Sequence, residues 1–545
     1  MLSLGNTSLL DAAAWRKRGF ELPKFEPGRV AARTRETPQW VHFGSGNIFR
    51  SFIAALDQKL LDEGKAQAGI VAVDTYDREV IDRVYRPHDN MSILVLMNAD
   101  GSLEKRILAS VGESLYGDPE CPRDWERLKA AFRSPSLQMA SFTITEKGYR
   151  LRGMDGGYLP DAAGDLKNGP AAPKHVMAKV CALAYERFRA GRLPLALVSM
   201  DNCSHNGEKL RASVTEIAEK WAAAGLADRE FPAYLEDGKA VSFPWTMIDK
   251  ITPRPSDAIR AELEKAGVGG MDVVCTAKKT YIAPFVNAEG PQYLVVEDSF
   301  PNGRPPLEAA GVLFTDRATV EKTERMKVTT CLNPLHTALA IFGCLLGCRT
   351  IAEEMRDPLL RGLATRIGEK EGLPVVVDPG VLNPRDFLRE VIEKRLPNPY
   401  IPDTPQRIAT DTSQKMSVRY GETIKAYAAR PDLRVSSLRG IPLVIAAWLR
   451  YLTGVDDEGK PMALSPDPLL DELKAALAGV RLGEPDSADG KLAPLLSNEK
   501  LFGLDLNAVG LGKTVERDFR LMLRGRHAVR DTLSEILNGK EAEKA

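Results

Sequence analysis

Three side chains near the middle of the sequence have the types and spacing needed to act on an alcohol oxygen. Lys327, Asn333 and His336 lie in the stretch ERMKVTTCLNPLH, in a chain that has only 6 histidines among 545 residues. Oxidation of an alcohol by hydride transfer needs a general base and donors that stabilise negative charge on the oxygen. A lysine whose pKa is lowered by burial can act as that base. Glu324, one helical turn earlier, is placed to carry the proton away.

The Asn-Pro step predicts how Asn333 and His336 come together. A residue before proline avoids the α region and proline favours the first helical position, so a helix is predicted from Pro334 with Asn333 as its N-cap. His336 then lies in the first turn, beside the positive end of the helix dipole, and both side chains can meet one substrate oxygen. Plainer roles also fit: Asn333 as a cap alone, His336 as a satisfied buried histidine and Lys327 as a solvated cation.

A glycine turn near the N-terminus is the second candidate site. Trp40–Phe43 predicts a strand, Gly44–Gly46 a turn and residues 48–61 a helix, and the next apolar run ends at Asp74. Backbone amides at such a helix start bind a pyrophosphate, and the acidic residue accepts from ribose hydroxyls. A carboxylate there favours NAD over NADP, because it repels a 2′-phosphate. Phe49 replaces the third glycine of the usual motif, so an ordinary tight turn is the alternative.

The elements that must position these residues separate into an α/β half and a helical half. Apolar runs ending in polar residues at 138–145 and 194–201 are typical of buried parallel strands, and helical spacing lies between them at 176–189. We predict an N-terminal extension at 1–37, an α/β Rossmann-like NAD-binding domain at 38–300 and a mainly α-helical catalytic and substrate domain at 301–545. Helices are expected in the last domain at 334–348, 351–366, 383–394, 405–429, 439–453, 467–478 and 515–537, with LPVVVD (373–378) as a strand candidate.

Composition argues against several functional classes. Basic and acidic residues number 74 each, which gives no electrostatic reason to expect nucleic acid or an anionic membrane as a partner. No apolar run reaches the roughly 20 residues of a membrane span, and the N-terminus lacks a signal-peptide pattern. Of the 7 cysteines, Cys344 and Cys348 lie one turn apart without the further ligands of a zinc site. We therefore predict a cytoplasmic protein without a metal site that acts on a small molecule.

Several segments, taken together and in order, resemble the polyol-specific long-chain dehydrogenase/reductase family, also called the mannitol dehydrogenase family. They are VHFGSGNIFR (41–50), TITEKGY (143–149), SMDNCSHNG (199–207), FPWTMIDKITPR (243–254), VVEDSFPNGRPPLEAAGVLF (295–314), ERMKVTTCLNPLH (324–336) and RLPNPYIPDTPQRIATDTSQK (395–415). The resemblance implies a Rossmann-like N-terminal domain, a mainly helical C-terminal domain and NAD(P)-dependent, zinc-independent oxidation of a secondary alcohol. It also implies a monomer.

The resemblance implies roles for individual residues. Lys327 is the general base in oxidation and the acid in reduction, Asn333 and His336 hold the reacting oxygen, and Glu324 relays the proton. The matching motifs place cofactor-binding residues at Gly44, Gly46, Asn47, Ile48, Asp74, Glu146 and Asn202. They place substrate-binding residues at Asp249, Arg254, Arg395 and Lys415. The family's lysine precedes its asparagine by five residues, whereas Lys327 precedes Asn333 by six.

Charge guides the choice of substrate. A hexuronate carries a carboxylate, which arginine recognises best through a bidentate pair. Arg254 is the first candidate for this contact and Arg395 the second, with a surface ion pair as the alternative for Arg254. Since CLNPLH is similar to the D-mannonate oxidoreductase (fructuronate reductase) subgroup, we expect NAD-dependent interconversion of D-mannonate and D-fructuronate. The alternatives are mannitol 2-dehydrogenase, arabinitol dehydrogenase or tagaturonate reductase activity, and, from another class, an NAD-binding sugar-acid epimerase or a non-redox binding protein.

Overall fold

The computed structural model describes residues 1–539, which form two compact units. The first unit contains Met1–Asn98 and Ser102–Glu321, and the second contains residues 99–101 and the described residues from Lys322 onward.

All strands found in residues 1–539 belong to the first unit. They are β1 (Leu2–Ser3), β2 (Phe20–Glu21), β3 (Trp40–Phe43), β4 (Ile70–Asp74), β5 (Ser92–Met97), β6 (Leu103–Leu108), β7 (Val111–Tyr116), β8 (Met139–Phe142), β9 (Leu195–Ser199), β10 (Val241–Ser242), β11 (Thr246–Asp249), β12 (Val268–Gly269), β13 (Val274–Cys275), β14 (Tyr281–Ile282), β15 (Phe285–Glu289), β16 (Tyr293–Glu297) and β17 (Leu313–Thr315). Its α-helices are α1 (Asn6–Leu9), α2 (Ala12–Lys17), α3 (Pro27–Glu36), α4 (Ala54–Asp62), α5 (Arg78–Val80), α6 (Pro122–Arg133), α7 (Thr145–Tyr149), α8 (Pro160–Asn168), α9 (Val176–Arg189), α10 (Asn206–Ala223), α11 (Phe231–Glu236) and α12 (Asp257–Lys265).

The helix α13 (Arg317–Met326) leads into the second unit. The helices that follow are α14 (Asn333–Leu346), α15 (Ile351–Glu354), α16 (Pro358–Thr365), α17 (Pro384–Glu390), α18 (Pro405–Ile408), α19 (Glu422–Ala429), α20 (Gly440–Tyr451), α21 (Leu470–Ala476), α22 (Leu492–Leu496), α23 (Glu499–Phe502), α24 (Gly512–Met522) and α25 (Ala528–Asn538). π-Helical segments occur at Phe49–Ile53, Ile81–Tyr85, Lys327–Cys331, Arg366–Gly372, Val391–Arg395 and Ser417–Gly421. Short 3₁₀ turns occur at Arg86–His88, Leu307–Ala310, Leu373–Val375, Thr412–Gln414, Val435–Ser437 and Pro485–Ala488.

A six-stranded parallel sheet in the order β10-β9-β8-β3-β4-β7 forms the centre of the first unit. Val41 and Phe43 pack on one face with residues of α6, α9 and α10, whereas Trp40 and Ala72 pack on the other face with α4. The strands β3, β4, β8 and β9 are buried along their whole length because helices cover both faces. The chain runs from β3 outward to β7 and then returns to β8 on the far side of β3. The predicted Rossmann-like, doubly wound arrangement is confirmed, with its reversal of strand order between β3 and β8.

Several strands of the first unit were not predicted. A second sheet has the order β15-β5-β6-β2, in which β5 and β6 form an antiparallel hairpin and β15 runs parallel to β5. A third pairs β11 with β16 in antiparallel orientation. Within residues 1–37, α1 to α3 are helical, β1 pairs with β12, and β2 pairs with β6. Such two-residue strands are too short to give a recognisable alternation.

The second unit is helical, as predicted, but some predicted elements are wrong. LPVVVD was a strand candidate, whereas Leu373–Val375 is a 3₁₀ turn, and the described part of the second unit has no strand beyond isolated bridges. A lone strand in a helical unit would leave its backbone groups unpaired. The helix predicted at 515–537 is divided into α24 and α25, with His527 between them in the left-handed region at φ 64°.

One helical stretch, Arg317–Leu346, is long and apolar enough by length and composition alone to cross a membrane. It joins α13, the π-helical segment Lys327–Cys331 and α14. In its most apolar window, 83% of the residues are buried inside the protein, which is typical of a core helix. No other such helix is found in residues 1–539.

A buried carboxyl group makes the stability of the second unit depend on pH. Glu354 is fully buried, and neither of its carboxyl oxygens has a hydrogen-bond partner among the described residues. Burial raises the pKa of Glu354 to about 9. The unfolded chain therefore releases this proton near its ordinary pKa of 4.5 while the folded protein retains it to about pH 9, so this group makes stability fall as pH rises between those values.

Glu354→Gln is therefore expected to stabilise the protein at about pH 8 by about 2 to 4 kcal/mol, and by less than about 1 kcal/mol near pH 5. Glutamine keeps the shape of the protonated acid but cannot ionise. Urea unfolding at the two pH values measures the difference. Glu353→Gln, at an exposed position of the same helix, is the matched control. An equal effect of Glu354→Gln at both pH values would contradict this account.

Candidate active site

The glycine turn follows β3 at the edge where the strand order reverses. Gly44 has φ +99°, and a Cβ there would lie 2.1 Å from the Thr143 carbonyl oxygen, so only glycine fits. Its N–H donates to the Val73 carbonyl at 2.8 Å. A Cβ at Gly46, in contrast, would meet no protein atom within 4 Å. The open space beside Gly46 fits close approach of a ligand to the backbone, as a pyrophosphate requires.

Substitutions of the two glycines are expected to affect different properties: protein stability at Gly44 and NADH binding at Gly46. Gly44→Ala should destabilise the protein by about 1 to 3 kcal/mol or more, because it combines a forced backbone conformation with a clash. Gly46→Ala should leave the unfolding free energy within about 1 kcal/mol of the parent but weaken NADH binding. Urea unfolding and NADH fluorescence titration measure the two effects. Tight NADH binding by Gly46→Ala would show that this turn does not hold the cofactor.

Asp74 lies at the end of β4, as predicted. Its Oδ2 accepts from the Ser45 hydroxyl at 2.9 Å, and its Oδ1 accepts from the N–H groups of Tyr76 and Asp77 at 2.9 and 2.7 Å. Burial raises the pKa of this carboxyl group. Asp74 therefore connects the glycine turn to the loop after β4. Its role as an acceptor for ribose hydroxyls stays a prediction.

A helix begins immediately after the turn, at Asn47 and Ile48, and continues through the π-helical segment Phe49–Ile53 into α4. The buried Arg50 donates to the Asn47 side-chain oxygen at 2.8 Å and to the Ala283 carbonyl at 2.5 Å. The amides at this helix start lie at the carboxyl edge of the sheet, beside β3. Helix starts at this position of doubly wound sheets bind anionic groups.

The loops after β8 and β9 are held together by Asp201, which the sequence analysis did not single out. Its carboxylate accepts from the N–H groups of Ile144 and Thr145 at 2.9 Å each and from the Tyr149 hydroxyl at 2.6 Å. These contacts hold Thr145 at φ +66°, a rare conformation for a β-branched residue. Asp201 lies within the SMDNCSHNG motif, which was the available signal.

Of two further predicted cofactor residues, Glu146 lies in α7, directly after the loop that follows β8, and Asn202 lies in the loop after β9. The Thr143 hydroxyl donates to the Gly44 carbonyl at 3.0 Å, which joins the loop after β8 to the glycine turn. Glu146 pairs with Lys209 at 3.1 Å, and that hydrogen bond lowers the pKa of Glu146. The structure thus brings the predicted cofactor residues together at one edge of the sheet. Their contacts with a cofactor stay a prediction.

The predicted substrate residues of the first unit lie elsewhere in it. Asp249 ends β11 and is 6% exposed. Arg254 is exposed, with its guanidinium 4.7 Å from the centre of the Tyr281 ring. No carboxylate among residues 1–539 lies within ion-pair distance of Arg254, so the alternative of a surface ion pair is wrong. Its proposed contact with a substrate carboxylate is untested.

In the second unit, Lys327 is the first residue of a π-helical turn. The Leu332 N–H donates to the Lys327 carbonyl at 3.1 Å, a bond that spans five residues instead of the four of an α-helix. The turn therefore takes one extra residue, which accommodates the longer spacing between Lys327 and Asn333. Lys327 is 3% exposed, so the alternative of a solvated cation is wrong. Glu324 lies one turn earlier, in α13.

The predicted capping role of Asn333 is wrong. Helix α14 begins at Asn333 itself, and the capping position is Leu332, at φ −128° and ψ −61°. The Asn-Pro signal misplaced the cap by one residue, because Leu332, which follows the π-helical segment Lys327–Cys331, takes the non-helical capping conformation. Asn333 is half-buried, and its side chain has no hydrogen-bond partner among residues 1–539. The carboxamide is thus available to a ligand.

His336 faces an acidic partner that the sequence analysis missed. Its Nε2 lies 3.4 Å from Oδ2 of Asp403, which also pairs with Arg407. Burial alone would raise the pKa of Asp403, but His336 and Arg407 outweigh it and the pKa is lowered. Nδ1 of His336 is left for a substrate: it accepts from a hydroxyl in the neutral ring and donates in the protonated ring. Asp403 lies in the RLPNPYIPDTPQ motif, which carried the available signal.

The π-helical segment Ser417–Gly421 packs against the first turn of α14. Within it, Arg419 donates to the Thr337 hydroxyl, and the Tyr420 hydroxyl donates to the Pro334 carbonyl at 2.7 Å. The predicted substrate residue Lys415 lies one turn before Arg419 and donates to the carbonyl of Ile408 at 3.2 Å.

Arg395, the other basic residue predicted to contact substrate, is buried at the end of Val391–Arg395. Its role stays a prediction. Among residues 1–539, no three His, Cys, Asp or Glu side chains form a group that could hold a metal ion.

Comparison with known proteins identifies the family. Residues 38–309 match the mannitol dehydrogenase Rossmann domain, and residues 319–521 match the mannitol dehydrogenase C-terminal domain. The D-mannonate oxidoreductase of Thermotoga maritima is 58% identical over 542 residues, which cover 99% of this chain and 100% of that protein.

Two solved structures have the same fold over nearly the whole chain. Mannitol 2-dehydrogenase of Pseudomonas fluorescens, in a ternary complex with NAD and D-mannitol, gives a TM-score of 0.67 at 26% identity and covers 98% of this chain and 100% of its own. A substrate-free D-sorbitol dehydrogenase gives 0.76 at 25% identity and covers 95% and 97%. The predicted family, fold class and assignment as a dehydrogenase are confirmed. This chain belongs to the mannitol dehydrogenase family.

Proposed function

We propose that this protein is an NAD-dependent secondary-alcohol dehydrogenase that interconverts D-mannonate and D-fructuronate. The observation that carries the proposal is the 58% identity to a D-mannonate oxidoreductase across 99% of the chain. The NAD bound in the related mannitol 2-dehydrogenase supports the choice of cofactor. The carboxylate at the end of β4, Asp74, supports NAD over NADP, because a 2′-phosphate beside it would be repelled.

The residues of the first unit fit a dinucleotide. The Gly44–Gly46 turn leaves open space at its second glycine, and the helix start at Asn47 and Ile48 offers backbone amides for the pyrophosphate. Asp74 offers carboxylate oxygens for the ribose. Bound NAD supplies the acceptor for the hydride that leaves the substrate carbon.

In the proposed reaction, residues of the second unit control the proton and the oxygen. Lys327 takes the proton from the substrate hydroxyl in oxidation and returns it in reduction. Its burial disfavours the charged ammonium and so favours a base. The carboxamide of Asn333 and Nδ1 of His336 hold the reacting oxygen, and Glu324 moves the proton outward. These groups supply the base and the donors, so the proposed mechanism is independent of zinc.

A neutral polyol is the second candidate substrate. The observation that favours it is the D-mannitol bound in the Pseudomonas fluorescens relative. Tagaturonate reduction is a variant of the first candidate, because tagaturonate and fructuronate are epimers with the same carboxylate.

A substrate panel tests the proposal. The purified protein is mixed with NADH and either D-fructuronate, D-tagaturonate or D-fructose, and the absorbance of NADH is followed; D-mannonate and D-mannitol are tested with NAD. We expect turnover with D-fructuronate and D-mannonate. Turnover with fructose and mannitol alone would support the polyol dehydrogenase. Binding of NADH without redox change in any of these mixtures would support an epimerase or a binding protein.

A further inference from the structure

A guanidinium group without a carboxylate partner lies beside the first turn of α14. Arg419 is half-buried, and burial lowers its pKa to about 10. Its Nη1 donates to the hydroxyl of Thr337, the residue next to His336. No carboxylate among the described residues lies within ion-pair distance of Arg419, and its Nε and Nη2 have no hydrogen-bond partner there. The bond to Thr337 therefore leaves one complete edge of the guanidinium available.

A second cation lies one helical turn away. Lys415 donates to the backbone carbonyls of Ile408 and Thr410 and has no carboxylate within ion-pair distance among residues 1–539. Burial, followed by the charge of Arg419, lowers the pKa of Lys415 to about 8. Like charges in a partly buried region are costly unless an anion compensates them. The pair therefore has the electrostatic character of an anion-binding site.

The acidic groups that act on Lys415 or face α14 have other partners or act from beyond ion-pair distance. Asp403 pairs with Arg407 and faces His336. Asp467 accepts from the N–H and the hydroxyl of Ser413. Asp411, which is exposed, raises the pKa of Lys415 but is not within ion-pair distance of it. Asp411 and Asp467 act on Lys415 only from beyond ion-pair distance, so neither Lys415 nor Arg419 has a paired carboxylate within the described part of the chain.

We infer that Arg419 binds the carboxylate of the sugar-acid substrate, with Lys415 as a supporting charge, and so sets the preference for hexonates over neutral polyols. This inference rests on the proposed function. The Nε and Nη2 edge of an arginine matches the two oxygens of a carboxylate, and the bond to Thr337 fixes the orientation of that edge.

Thr337 directly follows His336 in α14. Their side chains point about 100° apart around the helix axis, so the carboxylate bound at Arg419 and the oxygen held at His336 would belong to different carbons of one extended substrate. In a hexonate, the carboxylate and the reacting carbinol belong to one short carbon chain. A neutral polyol has no group that compensates the two cations, and its binding would leave them uncompensated.

Arg419→Met, which removes the charge but keeps an unbranched side chain, tests the inference. For D-mannonate we expect kcat/KM to fall by about 30-fold or more, mainly through KM, as for the loss of one partner from a buried charge pair. Turnover of a neutral polyol should be unchanged or improved, and NADH binding should be unchanged. Arg419→Lys should recover part of the lost affinity, because it restores the charge without the bidentate edge.

Two further variants separate recognition from structural support. Thr337→Val removes the hydrogen bond to Arg419, and Arg430→Met removes an exposed arginine that pairs with Asp432. If Arg419 only supports α14, Thr337→Val and Arg419→Met will reduce the turnover of mannonate and mannitol equally, which would overturn the inference. Arg430→Met should have no effect on either substrate.

Kinetics of the parent protein separate a failure of the proposed function from a failure of the inference about Arg419. If it oxidises D-mannonate and Arg419→Met does so with the same KM, the inference about Arg419 is wrong while the proposed function stands. If the parent oxidises only neutral polyols, the proposed function is wrong and the inference is overturned with it. Selective loss of mannonate turnover in Arg419→Met supports both.

Discussion

Lys327→Met is expected to lower kcat for D-mannonate oxidation by about 10² to 10⁴-fold, the usual contribution of a positioned general base. Methionine fills the space of the buried lysine stem but cannot accept a proton. Because Lys327 belongs to the second unit and the glycine turn to the first, NADH binding should be retained. Steady-state kinetics in both directions and NADH fluorescence titration measure the two effects.

Lys322→Met is the matched control, since Lys322 is exposed on α13, the helix that runs directly into the π-helical segment starting at Lys327. It should retain the kinetics of the parent protein. Urea unfolding of both variants shows whether a lost activity reflects lost structure. A Lys327→Met protein that is folded, binds NADH and turns over at the parent rate would refute the assignment of the base.

His336→Ala is expected to reduce kcat by about 10² to 10³-fold, the range found when one donor to a developing oxyanion is removed. The physical reason is that Nδ1 of His336 is left for the reacting oxygen while Nε2 faces Asp403. Kinetics with D-mannonate and D-fructuronate measure the effect, which should appear in kcat in both directions.

Asp403→Asn separates the contribution of the Asp403 carboxylate from that of the His336 imidazole. It keeps the imidazole but removes the carboxylate that faces Nε2, so activity should fall less than in His336→Ala and the pH profile of kcat should change. His527→Ala, at an exposed histidine, is the control. Loss of unfolding free energy in His336→Ala without any change in kcat would indicate a histidine with a purely structural role.

Much of the first unit could be predicted from the sequence because its elements carry strong local signals. The strands β3, β4, β8 and β9 are continuous apolar runs that end in polar residues, and α9 has the predicted bounds, Val176–Arg189. The glycine turn is recognisable in the sequence because only glycine fits at position 44. The backbone there has a positive φ, and a Cβ would collide with the Thr143 carbonyl oxygen. The antiparallel hairpin of β5 and β6 was missed because its second strand, β6, carries three charged residues in succession, Glu104 to Arg106, and so lacks the alternation of a half-exposed strand.

The site in the second unit could be predicted only in part. Lys327, Asn333 and His336 were found because they lie close together in the sequence. Asp403 and Arg419 were not singled out, because only tertiary structure brings their chain segments to α14. The capping role of Asn333 failed because Leu332 takes the non-helical capping conformation, so Asn333 is already helical despite the local Asn-Pro preference. Hydrophobic periodicity also does not reveal a π-helical turn such as Lys327–Cys331.

That turn has a consequence for how the enzyme could change. Deleting one residue between Val328 and Leu332 would convert it into an ordinary α-helical turn with the five-residue spacing between lysine and asparagine. Because the wide turn absorbs the extra residue, the chain on either side of such a deletion would keep its helical phase. The same deletion inside the regular turns of α14 would rotate every following residue by roughly 100° about the helix axis. The loss of a single codon is therefore tolerable at this one place, where the sequence can shorten without moving the residues around it.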